Sequence, residues 1–110
     1  MIVFVNIGKS LEEGKSFEEA PKRKWKLKLE RCKECDFVIG VAQGQAKCFF
    51  ILNDVYPDLE DPSRVAFELG PCIQEDIENL MKIIEYNDVN LKGIQRGKYL
   101  LPPSESGILA

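Results

Sequence analysis

Four cysteines, one tryptophan, three tyrosines and no histidine set the chemistry open to this chain. Without an imidazole there is no Ser-His or Cys-His pair, so nucleophilic catalysis of that type is excluded. Cys32-Lys33-Glu34-Cys35 has the internal spacing of half a zinc site, yet no second Cys-x-x-Cys follows it. Cys48 lies inside an apolar run and Cys72 follows Pro71, so a fourth ligand would have to be drawn out of a core strand. The thiols are therefore expected to be reduced, buried small hydrophobes, with no metal assigned. Ile7-Gly8-Lys9-Ser10 looks like a fragment of a P-loop, but the upstream glycine and the intervening loop are missing, and an ordinary strand-to-helix turn is expected. Carboxylates are abundant but none sits in a hydrolase motif, so no catalytic residue and no cofactor are assigned. An enzyme built from carboxylates in a cleft remains the third reading.

The positive candidates are aromatic, amide and basic side chains. Trp25 stands among Lys22, Arg23, Lys24, Lys26 and Lys28, where an indole either stacks on a base or packs as a lid on the core. Tyr56 follows the end of an apolar run and suits a pocket wall or a barrel plug. Gln43, Gln45 and Gln95 carry the paired donor and acceptor that read base edges, although glutamines at a hairpin tip are often only solvated.

These side chains must be held by the elements around them. Ile2–Val5 is an apolar, β-branched run expected to form a central strand. Ser10 with Glu13, and Ser16 with Glu19, have capping-box spacing and predict two short helical turns separated by Gly14, the second halting at Pro21. Leu29 to Cys35 is expected to add about two more turns. Asp36–Ala42 and Ala46–Leu52, joined through Gln43-Gly44-Gln45, read as a hairpin. Their near-continuous apolar character requires cover on both faces or closure into a barrel. Asn53-Asp54 is expected to end the pairing and residues 56–63 to form a loop. Arg64–Leu69 alternates as a further strand, with Val65, Phe67 and Leu69 inward, and Gly70-Pro71 is expected to break the chain. Ile73, Ile77, Leu80, Met81 and Ile84 recur at helical intervals and predict a helix over Gln74–Tyr86. Tyr99–Leu101 is expected to supply a last strand.

With 110 residues, 45% hydrophobic and 30% charged, the chain suits one domain with one core, taken as residues 1–103, followed by a tail at 104–110. No apolar run approaches the roughly 20 residues of a membrane-spanning helix, and Met1–Val5 lacks the basic flank of a secretory signal, so no membrane partner and a cytoplasmic location are expected. The net charge of −3 hides a segregation: residues 22–33 are basic apart from Glu30, while residues 54–88 are strongly acidic. That pattern is either a solvated surface whose charges meet in the fold or a local nucleic-acid footprint on an acidic protein.

An ordered set of segments carries a resemblance. Asn6-Ile7-Gly8, Glu12 to Ser16, Glu19-Ala20, Trp25-Lys26-Leu27, Arg31-Cys32, Asp36 to Val41, a hairpin, Tyr56, Arg64 to Phe67 and then Gly93 to Tyr99 resemble a small bacterial domain of the PUA-like superfamily, related to the EVE, YTH and ASCH groups. The chain departs from that pattern at Cys32, Cys35 and Lys47-Cys48. The resemblance implies an α+β fold: a small mixed β-barrel, the PUA-like pseudobarrel, with three to four short helices. It also implies binding of RNA or DNA carrying a modified or flipped base. Trp25 and Tyr56 would then stack, and Ser16, Lys24, Lys26 and Arg64 would supply polar or phosphate contacts, with Gln95 added as a reader of the base edge. The competing expectation is a protein-interaction domain, homodimeric or otherwise, that uses the acidic helix and loop.

Overall fold

The computed structural model describes residues 1–23 and 25–94 together with the backbone of 97–100, and its organising feature is a sheet buried on both faces. Strand β1 (Ile2–Asn6) is followed by the short helix α1 (Gly8–Glu12) and, after a long crossover, by the single-turn helix α2 (Leu29–Cys32). Then come β2 (Phe37–Ala42), β3 (Gln45–Pro57), β4 (Val65–Pro71), the helix α3 (Gln74–Tyr86), a 3-10 turn at Leu91–Gly93 and β5 (Gly97–Leu100). The five strands lie in the order β4-β3-β2-β1-β5. β1 and β2 are parallel and every other neighbouring pair is antiparallel.

Side chains alternate across a strand, and here the alternation sorts the apolar residues into two clusters. Ile2, Phe4, Ile39 and Val41 meet Leu80, Ile83 and Ile84 of α3 on one face. Val3, Val5, Val38, Cys48, Val55, Val65 and Phe67 form the other face, covered by Ala20, Cys32 and Cys35 from the crossover. β1 and β2 therefore read as unbroken apolar runs because both faces are covered. The sheet is an α+β arrangement open along its strand order, and closure into a barrel is not seen among the described residues. Two-sided cover by itself accounts for the apolar runs.

Two local devices position the rest. The hairpin between β2 and β3 turns at Gln43 and Gly44, with φ of 55° and 72°, the left-handed pair that a two-residue primed turn requires. Farther along β3 the register passes from Leu52↔Leu69 to Asp54↔Glu68, leaving Asn53 as an extra residue. Leu52 and Val55 both pack on the crossover face although they are three apart, which strict alternation forbids. The bulge resolves this conflict. Pairing consequently continues past Asn53 to Pro57, so Tyr56 is a strand residue rather than a loop residue, and β4 runs through Gly70 to Pro71 instead of breaking there. α1 begins at Gly8, ahead of Ser10, and α2 is one turn where two were expected. α3 spans the expected residues.

The outer edge of β4 is also paired. Trp25 and Val65 exchange backbone hydrogen bonds of 3.0 and 2.9 Å, and the Phe67 amide donates to the Lys22 carbonyl at 2.7 Å. A bare edge invites another strand. Here the basic segment seals it and is thereby fixed beside the far end of the β3–β4 hairpin.

Candidate functional site

That end carries a recess of about 220 Å³ lined by Arg23, Tyr56, Asp58, Leu59, Glu60 and Ala66. Tyr56 and Ala66 are directly paired across β3 and β4, so their side chains rise on the same face. Val55 and Phe67, one step along, point into the core on the opposite side. Tyr56 is 38% exposed and Leu59, at the head of the following loop, is 90% exposed. An aromatic and an aliphatic side chain thus stand out from the floor provided by Ala66.

The loop is held by one carboxylate. Asp58 is 1% exposed, the one buried charged residue among those described. Its Oδ2 accepts from Arg23 Nε at 3.1 Å, and its Oδ1 accepts from Arg23 Nη2 at 3.1 Å and from the Glu60 and Asp61 amides at 2.9 and 3.1 Å. The Asp58 amide donates to the Arg64 carbonyl at 2.9 Å, which closes the loop on itself. A buried charge persists only when paired and fully hydrogen-bonded, and both conditions are met. The Arg23 guanidinium holds the Asp58 carboxyl well below the usual carboxylate range, helped by the two amides and opposed by burial. Arg23 is correspondingly pushed up by Asp58 and by Glu60, whose Oε2 lies 3.2 Å from Nη2.

The arrangement leaves Arg23 half committed. Its Nε and Nη2 are taken by carboxylates, while Nη1 makes no hydrogen bond among the described residues, and the side chain is 45% exposed. The recess therefore offers a donor at Nη1, the Glu60 carboxylate as acceptor, the phenol of Tyr56 and two apolar surfaces. That set can hold a small planar group by its faces and its polar edge.

Of the residues singled out from sequence, Tyr56 lines the recess. Trp25 is half-buried; its Nε1 donates to the Pro21 carbonyl at 2.7 Å and it packs on the crossover-face cluster. Because Trp25 pairs with Val65 and Tyr56 pairs with Ala66, one step along, the two aromatic side chains are on opposite faces. The structure does not bring them together. Ser16 is exposed and its Oγ accepts from the Glu19 amide at 3.2 Å, a local turn contact; the short helix expected to open there is not formed, and the segment runs as turns to Pro21. Lys26 is exposed, and Arg64 pairs with Asp61 at 3.2 Å on the same loop. Lys24 and Gln95 lie outside the described residues. Gln43 is at the hairpin tip and Gln45 accepts from Lys47 Nζ at 2.8 Å, both remote in the sheet from Tyr56.

Sequence reasoning missed Arg23, Asp58, Leu59, Glu60 and Ala66. A signal was present at Asp58: an aspartate followed at two and three residues by loop amides and preceded by Pro57 is an Asx-turn pattern. Its partner, 35 residues away, was not readable. Burial pushes the thiols of Cys35, Cys48 and Cys72 up to about 11, consistent with packing rather than nucleophilic roles. No helix of the described residues is long and apolar enough to cross a membrane. A second, wider depression of about 460 Å³ beside Gly44 and residues 88–92 lacks an aromatic wall. No family model, curated protein or solved structure matches the chain.

Proposed function

We propose that the chain is a nucleic-acid recognition module that takes one flipped or modified base of RNA or DNA into the Tyr56 recess. The observation that carries the reading is the recess itself: a phenol and an exposed leucine flank a guanidinium whose orientation is locked by a buried aspartate. Base stacking on an aromatic ring tolerates any base, and a pre-set donor beside an acceptor reads a polar edge. The strand's phosphates would follow the segment that seals β4, where Lys22 and Lys26 are exposed. The α+β class with a mixed sheet is the part of the PUA-like resemblance that the fold shares, and membership of that superfamily is part of the proposal.

The test is a fluorescence anisotropy titration of labelled single-stranded oligonucleotides. Two phosphate contacts give a slope of log K against log salt of about −1.4, and Tyr56→Ala weakens binding by about 1–3 kcal/mol. Trp25→Phe, which keeps the packing, leaves the affinity unchanged. Binding indifferent to Tyr56→Ala refutes the assignment of the recess.

One observation favours a second reading, the protein-interaction domain. Ile73, Met81 and Tyr86 on or beside α3 are 62%, 47% and 68% exposed. Light scattering that finds a dimer dissociated by Met81→Ser would support it.

A further inference from the structure

A single exposed leucine is ordinary on a protein surface, but Leu59 combines near-complete exposure with a rigid mount. At 90% it is the most exposed large apolar side chain among the described residues, and it packs on neither apolar cluster. Slack in the loop is not the cause. Asp58 accepts from the amides of Glu60 and Asp61, the two residues that follow Leu59. The Asp58 and Arg64 amides close the loop on the Arg64 and Asp61 carbonyls, each at 2.9 Å, and Asp61 also accepts from the Ser63 amide and hydroxyl at 3.2 and 2.6 Å. The backbone on both sides of Leu59 is thereby tied, and a carboxylate that is 1% exposed anchors it to Arg23 in the segment that seals β4. The leucine therefore stands in water on a fixed stem, at the rim of the recess that it also lines.

The recess is small, about 220 Å³, where pockets that enclose a whole drug-sized ligand begin at about 300 Å³. On the base-binding reading it takes one base and leaves the sugar and the neighbouring bases outside. A base in a duplex reaches such a recess only by leaving the stack, and proteins that open base steps insert Leu, Phe, Ile or Met between them. Resting on that reading, we infer that the ligand is a paired duplex and that Leu59 is the wedge that enters the stack where the base held against Tyr56 has left it. Tyr56 and Leu59 border the same recess, so one rigid unit of strand and loop both receives the base and fills its place. A wedge already fixed by the Asp58 bonds is not ordered at the moment of binding, which removes that cost from the complex. The exposed Lys22 and Lys26 then serve the flanking phosphates.

The experiment is an anisotropy titration of the full chain with a labelled strand, alone and in a duplex carrying one central mismatch, each made in DNA and in RNA. Leu59 lies outside the core, so its variants are expected to fold. Leu59→Ala is expected to weaken duplex binding about tenfold more than single-strand binding, because the apolar contact with the stack is lost only where there is a stack. Leu59→Met keeps an apolar wedge and is expected to hold the duplex affinity within about threefold of the wild type. Tyr56→Ala is expected to weaken both probes. A chain that binds only the single strand, or one in which Leu59→Ala acts equally on the two probes or on neither, overturns the wedge and leaves base binding standing so long as Tyr56→Ala still weakens the complex. If neither probe binds, or Tyr56→Ala changes neither, the base reading falls and the wedge with it.

Discussion

Gly40 sits where β2 crosses Cys48 of β3, and the space there is small enough to compute what one methyl group does. A Cβ built at Gly40 would lie 2.5 Å from Cys48 Sγ and 3.0 Å from Ile7 Cδ1. The thiol is on β3 and the isoleucine directly follows β1, where its amide donates to the Val41 carbonyl, so the new methyl is crowded from the chains on both sides of β2. Cys48 is 8% exposed and Ile7 is fully buried, which leaves neither side chain open space to rotate into. Overpacking of this kind costs about 1–3 kcal/mol, so Gly40→Ala is expected to lower the melting temperature by about 4–15 °C in a domain of this size. Cys48→Ala alone removes the sulfur and costs about 1 kcal/mol through the small void it leaves. In the double variant the new methyl occupies the space of the lost sulfur. The two changes are then expected to couple favourably by about 1–2 kcal/mol, measured by urea denaturation of the wild type, both single variants and the double variant. Strictly additive effects would refute the claim that the thiol is what excludes a side chain at position 40.

Two further outcomes follow from the same side-chain environments. Because the Asp58 carboxyl is held below its unfolded value near 3.9, its contribution to stability is present above that pH and is lost as the pH falls through the lower folded value. Asp58→Asn is therefore expected to flatten the acid limb of stability below about pH 4, and acid limbs that run parallel in wild type and variant would exclude the ion pair as its cause. Cys72 is the half-buried thiol while Cys32, Cys35 and Cys48 are buried, so iodoacetamide at neutral pH should modify Cys72 first, read by mass spectrometry, and slowly because its thiol is pushed up to about 11. Earlier labelling of Cys48 would mean that the sheet opens locally before the base of α3 does.

The pieces of the fold that were legible are those where periodicity and burial agree. Leu80 and Ile84 repeat with the period of a helix and are buried, and α3 appears over the residues the spacing predicts. Ile2–Val5, with no polar interruption, occupies the interior of the sheet between β2 and β5. Legibility failed at Asn53, where a loop composition sits in a paired strand. Asn53-Asp54 carries turn residues, but the bulge absorbs the first and pairing resumes through the second. The cost of reading a break there was large, because it moved Tyr56 from a rigid strand onto an imagined loop. The open sheet and a closed barrel likewise predict the same apolar runs in β2 and β3; only the placement of α3 and the crossover decides between them.

The site was harder to read for a reason that charge counting makes plain. Seen along the chain, Arg23 is one of a run of cations around Trp25, and the run invites a positive cleft centred on the indole. In the fold, the backbone of that run is spent on the edge of β4, the indole turns toward the core, and Arg23 is the member that crosses to the other face to meet Asp58. A cation's contribution to a surface depends on what it is bonded to, and a bidentate carboxylate removes most of its field while fixing its direction. Arg23 thus passes from a unit of positive potential to an oriented hydrogen-bond donor. Asp58 and Glu60, which share the recess with it, lie 35 and 37 residues farther on and gave no sign in the sequence of meeting it.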